Sequence, residues 1–306
     1  MVCTKPLSVI RLASESLSIL CPIGYTNKFS DNIDYIKELI IESEAIIIGA
    51  GAGLSAAAGL TYSGKRFENN FSDFIEKYHF SDMYSGGFYP FESLPEFWAY
   101  WSRYVFINRY AETTNGLYKV LLEKVKNKNY FVLTTNVDHQ FQKAGFDKQR
   151  LFYTQGDYGL FQCSQPCHNS TYDNEDIIRK MVIYQKDMRI PQKLIPLCPK
   201  CGKPMSMNLR SDEKFVQDSG WYSASDRYSE FLNKNNNSRA VFLELGVGMN
   251  TPGIIKYSFW NMAHKWPRAV YICINLNKSN ALGETIKYGK NFIFINEDIG
   301  KVVNQL

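Results

Sequence analysis

The sequence predicts an α/β protein: a doubly wound parallel sheet with a smaller, cysteine-bearing module inserted. Three observations predict it. The stretch Ala45–Gly59 (AIIIGAGAGLSAAAG) passes from a β-branched strand through a glycine turn into a small-residue helix start. Apolar runs recur at Tyr130–Thr134, Ala240–Leu245, Val270–Ile274 and Phe292–Ile295, each followed by a polar or glycine-rich loop. These runs are continuous rather than alternating, as befits strands covered on both faces of a parallel sheet. Between them, residues 160–212 break the pattern with Cys163-x3-Cys167 and Cys198-x2-Cys201.

Length and composition set the outer bounds. A chain of 306 residues, 45% hydrophobic and 21% charged, has ample core for one large domain or two smaller ones. The net charge of +5 suits an anionic ligand, but no Lys/Arg block marks a nucleic-acid track. No apolar run approaches the roughly 20 residues of a membrane span. Arg11 and Glu15 interrupt the weakly apolar N-terminal section, which argues against a signal peptide. The expectation is a cytoplasmic protein with neither membrane nor nucleic acid as partner. Seven cysteines, four of them paired at short spacing, suit a metal site better than a disulfide framework.

Residues 1–30 read as a peripheral extension, broken by Pro6, Pro22 and Gly24. Ser30, Asp31 or Asn32 caps a helix whose Ile33, Ile36, Leu39 and Ile40 share a face. In the glycine strand that follows, Gly51, Gly53 and Ala56 fit the G-x-G-x-x-[GA] phosphate fingerprint. Glycines admit a pyrophosphate close to the main chain, and a helix N-terminus offers it unpaired N–H groups. A strand–helix turn with nothing bound explains the same residues. The second strand with an acidic end, which a dehydrogenase needs about 20 positions on, is missing here. Phosphate binding survives and hydride transfer does not follow.

Residues 60–112 read as an aromatic helical lid, in which Phe97, Trp98, Tyr100, Trp101 and Tyr104 line one helix. Those rings either pack the lid onto the core or wall a pocket for a flat ring or an acyl chain. Leu117–Val125 is an amphipathic helix, and strand Tyr130–Thr134 empties into Thr135-Asn136-Val137-Asp138. In an open doubly wound sheet such loops gather along the C-terminal edge, where ligands bind. The main domain thus comprises 31–159 and 213–306, and 160–212 forms the inserted module. Cys163, Cys167, Cys198 and Cys201, the second pair on a knuckle followed by Gly202, read as a closed structural Zn²⁺ site of the zinc-ribbon kind. Two unrelated thiol pairs are the competing reading. His168 competes as a ligand, and Cys3, Cys21 and Cys273 show no pairing pattern.

Taken in order, Gly51-Ala-Gly53-Leu-Ser55, Thr135-Asn136-Val137-Asp138 ending in Ala144-Gly145, Gln155-Gly156, the four cysteines, Gly246-x-Gly248 and Asn275-x-Asn277 resemble the sirtuin family. The resemblance runs from about residue 33 to the end. It implies a Rossmann-like domain and a zinc module with NAD, as co-substrate, in the cleft between them. It implies an NAD site drawn from Gly51, Ala52, Gly53, Ser55, Ala56, Gly59, Leu60, Arg66, Thr135, Asn136, Asp138, Gln155, Gly246, Val247, Gly248, Asn275, Leu276, Asn277 and Asp298. Asn136, Asp138 and Gln155 would be catalytic: Asn136 on a ribose hydroxyl or a water, Asp138 by the nicotinamide amide.

The departures from the family are informative. Gln155 stands where common sirtuins carry a catalytic histidine, and Phe141 replaces a second family histidine. The family's Pro-Asp-Phe-Arg segment is replaced by Thr61-Tyr62-Ser63-Gly64, with Arg66 as a substitute for its arginine. With the phrases at 153–163, 208–210 and 250–256, the chain resembles the class M sirtuins, microbial enzymes whose genes accompany macrodomain genes. That implies protein ADP-ribosylation of a lipoyl-carrier protein of the glycine-cleavage type, and a functional link to a macrodomain hydrolase.

The chemistry agrees with that direction. The bond from ribose to nicotinamide already joins a cationic leaving group, so holding the ring and stabilising an oxocarbenium-like ribose does most of the work. A glutamine amide cannot supply the general-base assistance, roughly 10²–10⁴-fold, that a histidine gives to deacylation. Capture of the ribose by a protein nucleophile is the expected outcome. The alternatives are a lysine deacylase, an NAD glycohydrolase, a non-catalytic NAD or ADP-ribose sensor and a zinc-ribbon nucleic-acid module.

Overall fold

The core is a sheet of six strands in the order β3-β2-β1-β7-β8-β9, where β1 is Ala45–Ala50, β2 Tyr130–Thr134, β3 Leu151–Tyr153, β7 Ala240–Leu245, β8 Val270–Ile274 and β9 Phe292–Ile295. This computed structural model describes residues 29–111, 114–249, 252–276 and 291–306. Every pairing in the sheet is parallel. The order runs outward from β1 to β3 on one side and from β7 to β9 on the other. The chain therefore changes direction between β1 and β7, and a doubly wound sheet opens its ligand crevice at that point.

The apolar runs are continuous because both faces are covered. Ile46, Ile48 and Ala50 of β1 pack with helix α1 (Phe29–Glu42), helix α6 (Leu117–Val125) and the C-terminal helix Ile299–Gln305. Ile47 faces the other way, with α9 (Ser219–Asn235) and α10 (Lys256–Lys265). Each fully buried aliphatic side chain of this kind is worth about 1.5–3 kcal/mol. Helix α1 buries Ile33, Ile36, Leu39 and Ile40 as their spacing predicts. It begins at Phe29, so Ser30–Asn32 lie within its first turn instead of capping it.

One charged residue sits inside an apolar run. Glu244 of β7 is fully buried, and its carboxylate is met by the Lys256 ammonium and by the Tyr271 hydroxyl at 2.5 Å. A buried carboxylate without such partners would cost several kcal/mol.

A second, antiparallel sheet of three strands has the order β5-β4-β6: β4 is Gly156–Cys163, β5 Tyr172–Asp173 and β6 Met205–Leu209. The lid helices α3 (Lys65–Tyr78), α4 (Met83–Gly87) and α5 (Leu94–Val105) share a core with this sheet and with α8 (Glu175–Tyr184). Trp98, Tyr100 and Tyr104 are buried there, and Trp98 meets Phe161 edge-on at 5.1 Å. These rings pack the lid onto the small sheet.

Candidate active site

The site is built where β1 and β7 end. Gly51 N–H donates to the Leu245 carbonyl at 3.0 Å, and Gly53 N–H to the Gly246 carbonyl at 2.9 Å. The two loops touch backbone to backbone: a Cβ on Gly53 would lie 2.7 Å from Gly246 Cα. Gly246 itself has φ +63°, a region that favours glycine. Loop packing alone thus requires Gly53 and Gly246. Gly248 is different, because a Cβ there would meet nothing within 4 Å.

The loop after β2 is tied to the same turn. Thr135 N–H donates to the Ala50 carbonyl at 3.1 Å, and the Asn136 side-chain amide donates to the Gly51 carbonyl at 3.0 Å. The Ser55 hydroxyl donates to Asp138 Oδ2 at 2.5 Å and pairs with the Tyr118 hydroxyl at 2.9 Å. Burial pushes the Asp138 carboxyl up. The Ser55 and Gln140 hydrogen bonds oppose that, the nearby Asp157 charge adds to it, and the net result is a raised value.

Gln155 is held by its neighbours. Thr154 N–H donates to the Thr134 carbonyl at 3.0 Å, Arg210 N–H donates to the Gln155 carbonyl at 3.0 Å, and Tyr158 N–H donates to the Val137 carbonyl at 2.9 Å. Gly156 takes φ +94°, and a Cβ on it would fall 1.9 Å from the Asn208 carbonyl oxygen. The half-buried Gln155 side chain has no hydrogen-bond partner among the described residues, so its amide remains available to a ligand. Stitched in this way, the segment from Thr154 to Tyr158 lies against the segment from Thr134 to Val137.

The remaining candidates divide. Ser55, Leu60 and Val247 are buried, and Ala52, Ala56 and Gly59 are exposed. The Asn275 side chain donates to the Val247 carbonyl at 3.1 Å, and Leu276 is exposed. Arg66 spends its guanidinium on the carbonyls of Thr61 (2.9 Å) and Ile107 (2.8 Å) and on Asn108 Oδ1 (3.0 Å). Asp298 caps the C-terminal helix, accepting from Lys301 N–H at 2.8 Å. Asn277 and residues 1–28, with Cys3 and Cys21, lie outside the described residues. Sequence reasoning missed Tyr118, Arg109, His139, Asp157 and the backbone role of Arg210. His139 directly follows Asp138 and Asp157 closely follows Gln155, so adjacency to motif residues was the available signal.

In the inserted module the sulfur atoms of Cys163, Cys167, Cys198 and Cys201 all lie within 4.8 Å of one another. The Cys163–Cys201 and Cys167–Cys198 separations are 3.6 and 3.7 Å. Zinc–thiolate bonds of about 2.3 Å in a tetrahedron give sulfur–sulfur edges of about 3.8 Å, so the donor set fits Zn²⁺. His168 lies outside the four sulfurs, its Nδ1 3.0 Å from Cys167 Sγ and its Nε2 2.7 Å from the Tyr172 hydroxyl. Among the described residues no helix is long and apolar enough to cross a membrane.

No family model matches the chain. It is 40% identical over 271 residues to a protein ADP-ribosyltransferase of Staphylococcus aureus, spanning 88% of this chain and 85% of that one. It is 31% identical over 242 residues to a probable bifunctional ADP-ribose hydrolase/ADP-ribosyltransferase of Fusarium oxysporum f. sp. cubense, spanning 74% of this chain and 39% of that longer protein. Among solved structures, Sir2Tm bound to a propionylated peptide matches with a TM-score of 0.57 at 18% identity, over 89% of this chain and 96% of that one. A Sir2–p53 peptide–NAD⁺ complex matches with a TM-score of 0.56 at 19% identity, over 89% of this chain and 96% of that one. At these identities the structural likeness establishes a shared fold.

Proposed function

Since the chain belongs to the protein ADP-ribosyltransferases of sirtuin fold, we propose that it cleaves NAD and transfers ADP-ribose to a protein, in the manner of the class M sirtuins. One observation carries the reading: an amide, Gln155, occupies the segment bound to the Thr134–Val137 loop, where a deacylase needs a proton acceptor. The glycine turn and Gly246–Gly248 receive the pyrophosphate. Asn136 has its amide fixed on Gly51, which leaves its oxygen for a ribose hydroxyl or a water. Asp138 meets the nicotinamide amide. The glycosidic electron pair leaves with nicotinamide nitrogen, and a nucleophile of the acceptor protein forms the new bond to the ribose carbon.

The acceptor in this reading is a lipoyl-carrier protein of the glycine-cleavage type, and a macrodomain hydrolase reverses the modification. The Fusarium relative, whose name joins a hydrolase and a transferase, supports that pairing. The zinc ribbon of 160–212 is structural and the protein works in the cytoplasm. The test is incubation of the full chain with NAD labelled in its ADP-ribose half and a lipoylated carrier protein. Label covalently joined to the carrier is the expected result. Rapid loss of acyl groups from lysine without protein labelling would make it a deacylase, and free ADP-ribose alone a glycohydrolase.

A further inference from the structure

We propose that His139 and Asp157, backed by Arg109, form a positioning clamp that holds Gln155 in register with Asn136 for NAD cleavage. The inference rests on the proposed reaction for its purpose and on geometry for its parts. Asp157 is buried, and its carboxylate accepts from His139 Nδ1–H at 2.5 Å, from Arg109 Nε–H at 2.8 Å and from Gly159 N–H at 2.7 Å. Three segments meet there: the π-helical turn Phe106–Tyr110, the loop after β2 and the start of β4. A π-helical turn is uncommon and is found disproportionately at functional sites.

Two local features show that the arrangement is imposed on the chain. His139 has φ +64°, which costs a residue with a Cβ energy and persists only when its surroundings hold it there. Burial raises the Asp157 carboxyl, yet the His139 hydrogen bond, the His139 and Arg109 charges and the Gly159 N–H together hold it below its ordinary value. It therefore stays an anion at neutral pH, able to accept from both side chains.

The clamp lies next to the reacting groups in sequence and bridges them in space. His139 directly follows Asp138, and Asp157 stands two residues after Gln155. Backbone bonds tie Thr154 to Thr134 and Tyr158 to Val137, and the segment between those ties carries the left-handed Gly156. His139–Asp157 joins the two segments side chain to side chain, beside the bond from the Thr154 hydroxyl to the Thr134 carbonyl at 3.3 Å. Without the His139–Asp157 bond, the segment keeps its backbone ties and the Arg109–Asp157 bond but loses its link to the residue after Asp138. The Gln155 side chain has no hydrogen-bond anchor of its own among the described residues. A displacement of about 1 Å at such a site costs on the order of 10²-fold in rate.

The test uses three variants of His139, whose ring is partly exposed. His139→Gly relieves the backbone and loses the hydrogen bond. His139→Asn keeps both, because asparagine tolerates positive φ and places an amide N–H where Nδ1 stood. His139→Ala loses both. Nicotinamide release is measured against NAD concentration, with a thermal melt of each variant. We expect His139→Gly to lower kcat by about 10²-fold with KM for NAD little changed, and His139→Asn to recover most of the loss. Asp157→Asn should resemble His139→Gly. A glycine variant with wild-type kcat overturns the clamp, as does an asparagine variant as impaired as the glycine one. Nicotinamide release is common to transfer and hydrolysis. A wild-type protein that releases nicotinamide but labels no protein therefore refutes the transferase reading alone, and one that releases none refutes both.

Discussion

The side-chain amide of Asn136 donates to the Gly51 carbonyl at 3.0 Å, joining the loop after one central strand to the turn after the next. The bond fixes which way the amide faces: nitrogen toward the turn, oxygen away from it. Asn136→Ala should lose about 1 kcal/mol of stability with that bond and about 10²-fold in nicotinamide release, the usual scale for removing one preorganised polar group. Asn136→Asp should be worse in both, since it sets a carboxylate oxygen against a carbonyl. Thermal melts and nicotinamide release measured side by side check the pair.

Gly53 and Gly248 separate packing from binding. A Cβ on Gly53 would sit 2.7 Å from Gly246 Cα, main chain that cannot move aside cheaply. Gly53→Ala should cost about 1–3 kcal/mol, as overpacking does. Gly248→Ala meets no atom within 4 Å. It should melt with wild type and raise KM for NAD, if the loop receives the pyrophosphate. An alanine at 248 that changes neither stability nor KM removes that loop from the NAD site.

Much of the architecture was legible because burial on two faces leaves a plain mark. The runs at Tyr130–Thr134, Ala240–Leu245, Val270–Ile274 and Phe292–Ile295 are strands with those ends. Even Glu244 did not disturb the pattern, because Lys256 and Tyr271 satisfy it from distant sequence. Strand β3 has three residues and leaves no periodicity, and β4 mixes Asp157, Tyr158 and Gln162 into an otherwise apolar stretch. The candidate site was legible as motif residues but not as a network. Arg66 reads in sequence as a substitute for the family's arginine, and nothing in the sequence signals that its guanidinium is bound to the carbonyls of Thr61 and Ile107. His139 lies outside the motifs and Asp157 has no role of its own in the phrase at 153–163, and only tertiary structure brings them together.

At Gln155 the prediction concerns chemistry and leaves the backbone intact. The main chain there is held by Thr134 and Arg210 whatever the side chain is. Gln155→Ala should fold normally and reduce transfer, because the amide that orients the ribose is gone. Gln155→His restores a titratable group, but the remaining deacylase machinery is not supplied with it. Lysine deacylation by that variant should stay slow, as followed by mass spectrometry on an acylated peptide. A fast Gln155→His deacylase would show that this one position separates the two chemistries.

The four sulfurs make a prediction about folding. Cys163 and Cys198 are buried in the core shared by the lid and the small sheet. Structural zinc sites supply folding free energy directly. Chelator treatment, or Cys198→Ser, should therefore lower the melting temperature and release about one zinc per chain, read by a metal-sensitive dye. A soluble, zinc-free Cys198→Ser protein of normal activity would refute the structural role.

Asp138 links activity to pH. Burial is the largest influence on its carboxyl, and the folded value lies above the ordinary value of about 3.9. A carboxyl with a raised folded value favours the native state most below the unfolded value. That stability is lost as pH rises through the folded value. Asp157 has the opposite sign: its value is lowered, so its stability is present above the ordinary value and disappears on acidification. Asp138→Asn isolates the first effect. The amide oxygen still accepts from Gln140 N–H (3.2 Å in the native protein), and its nitrogen can donate to Ser55 once that hydroxyl turns. The variant should therefore melt at or above the wild-type temperature at about pH 7, with the difference shrinking toward about pH 4, while nicotinamide release falls. A variant that melts below the wild-type temperature at neutral pH would show that Asp138 is held there for stability rather than for chemistry.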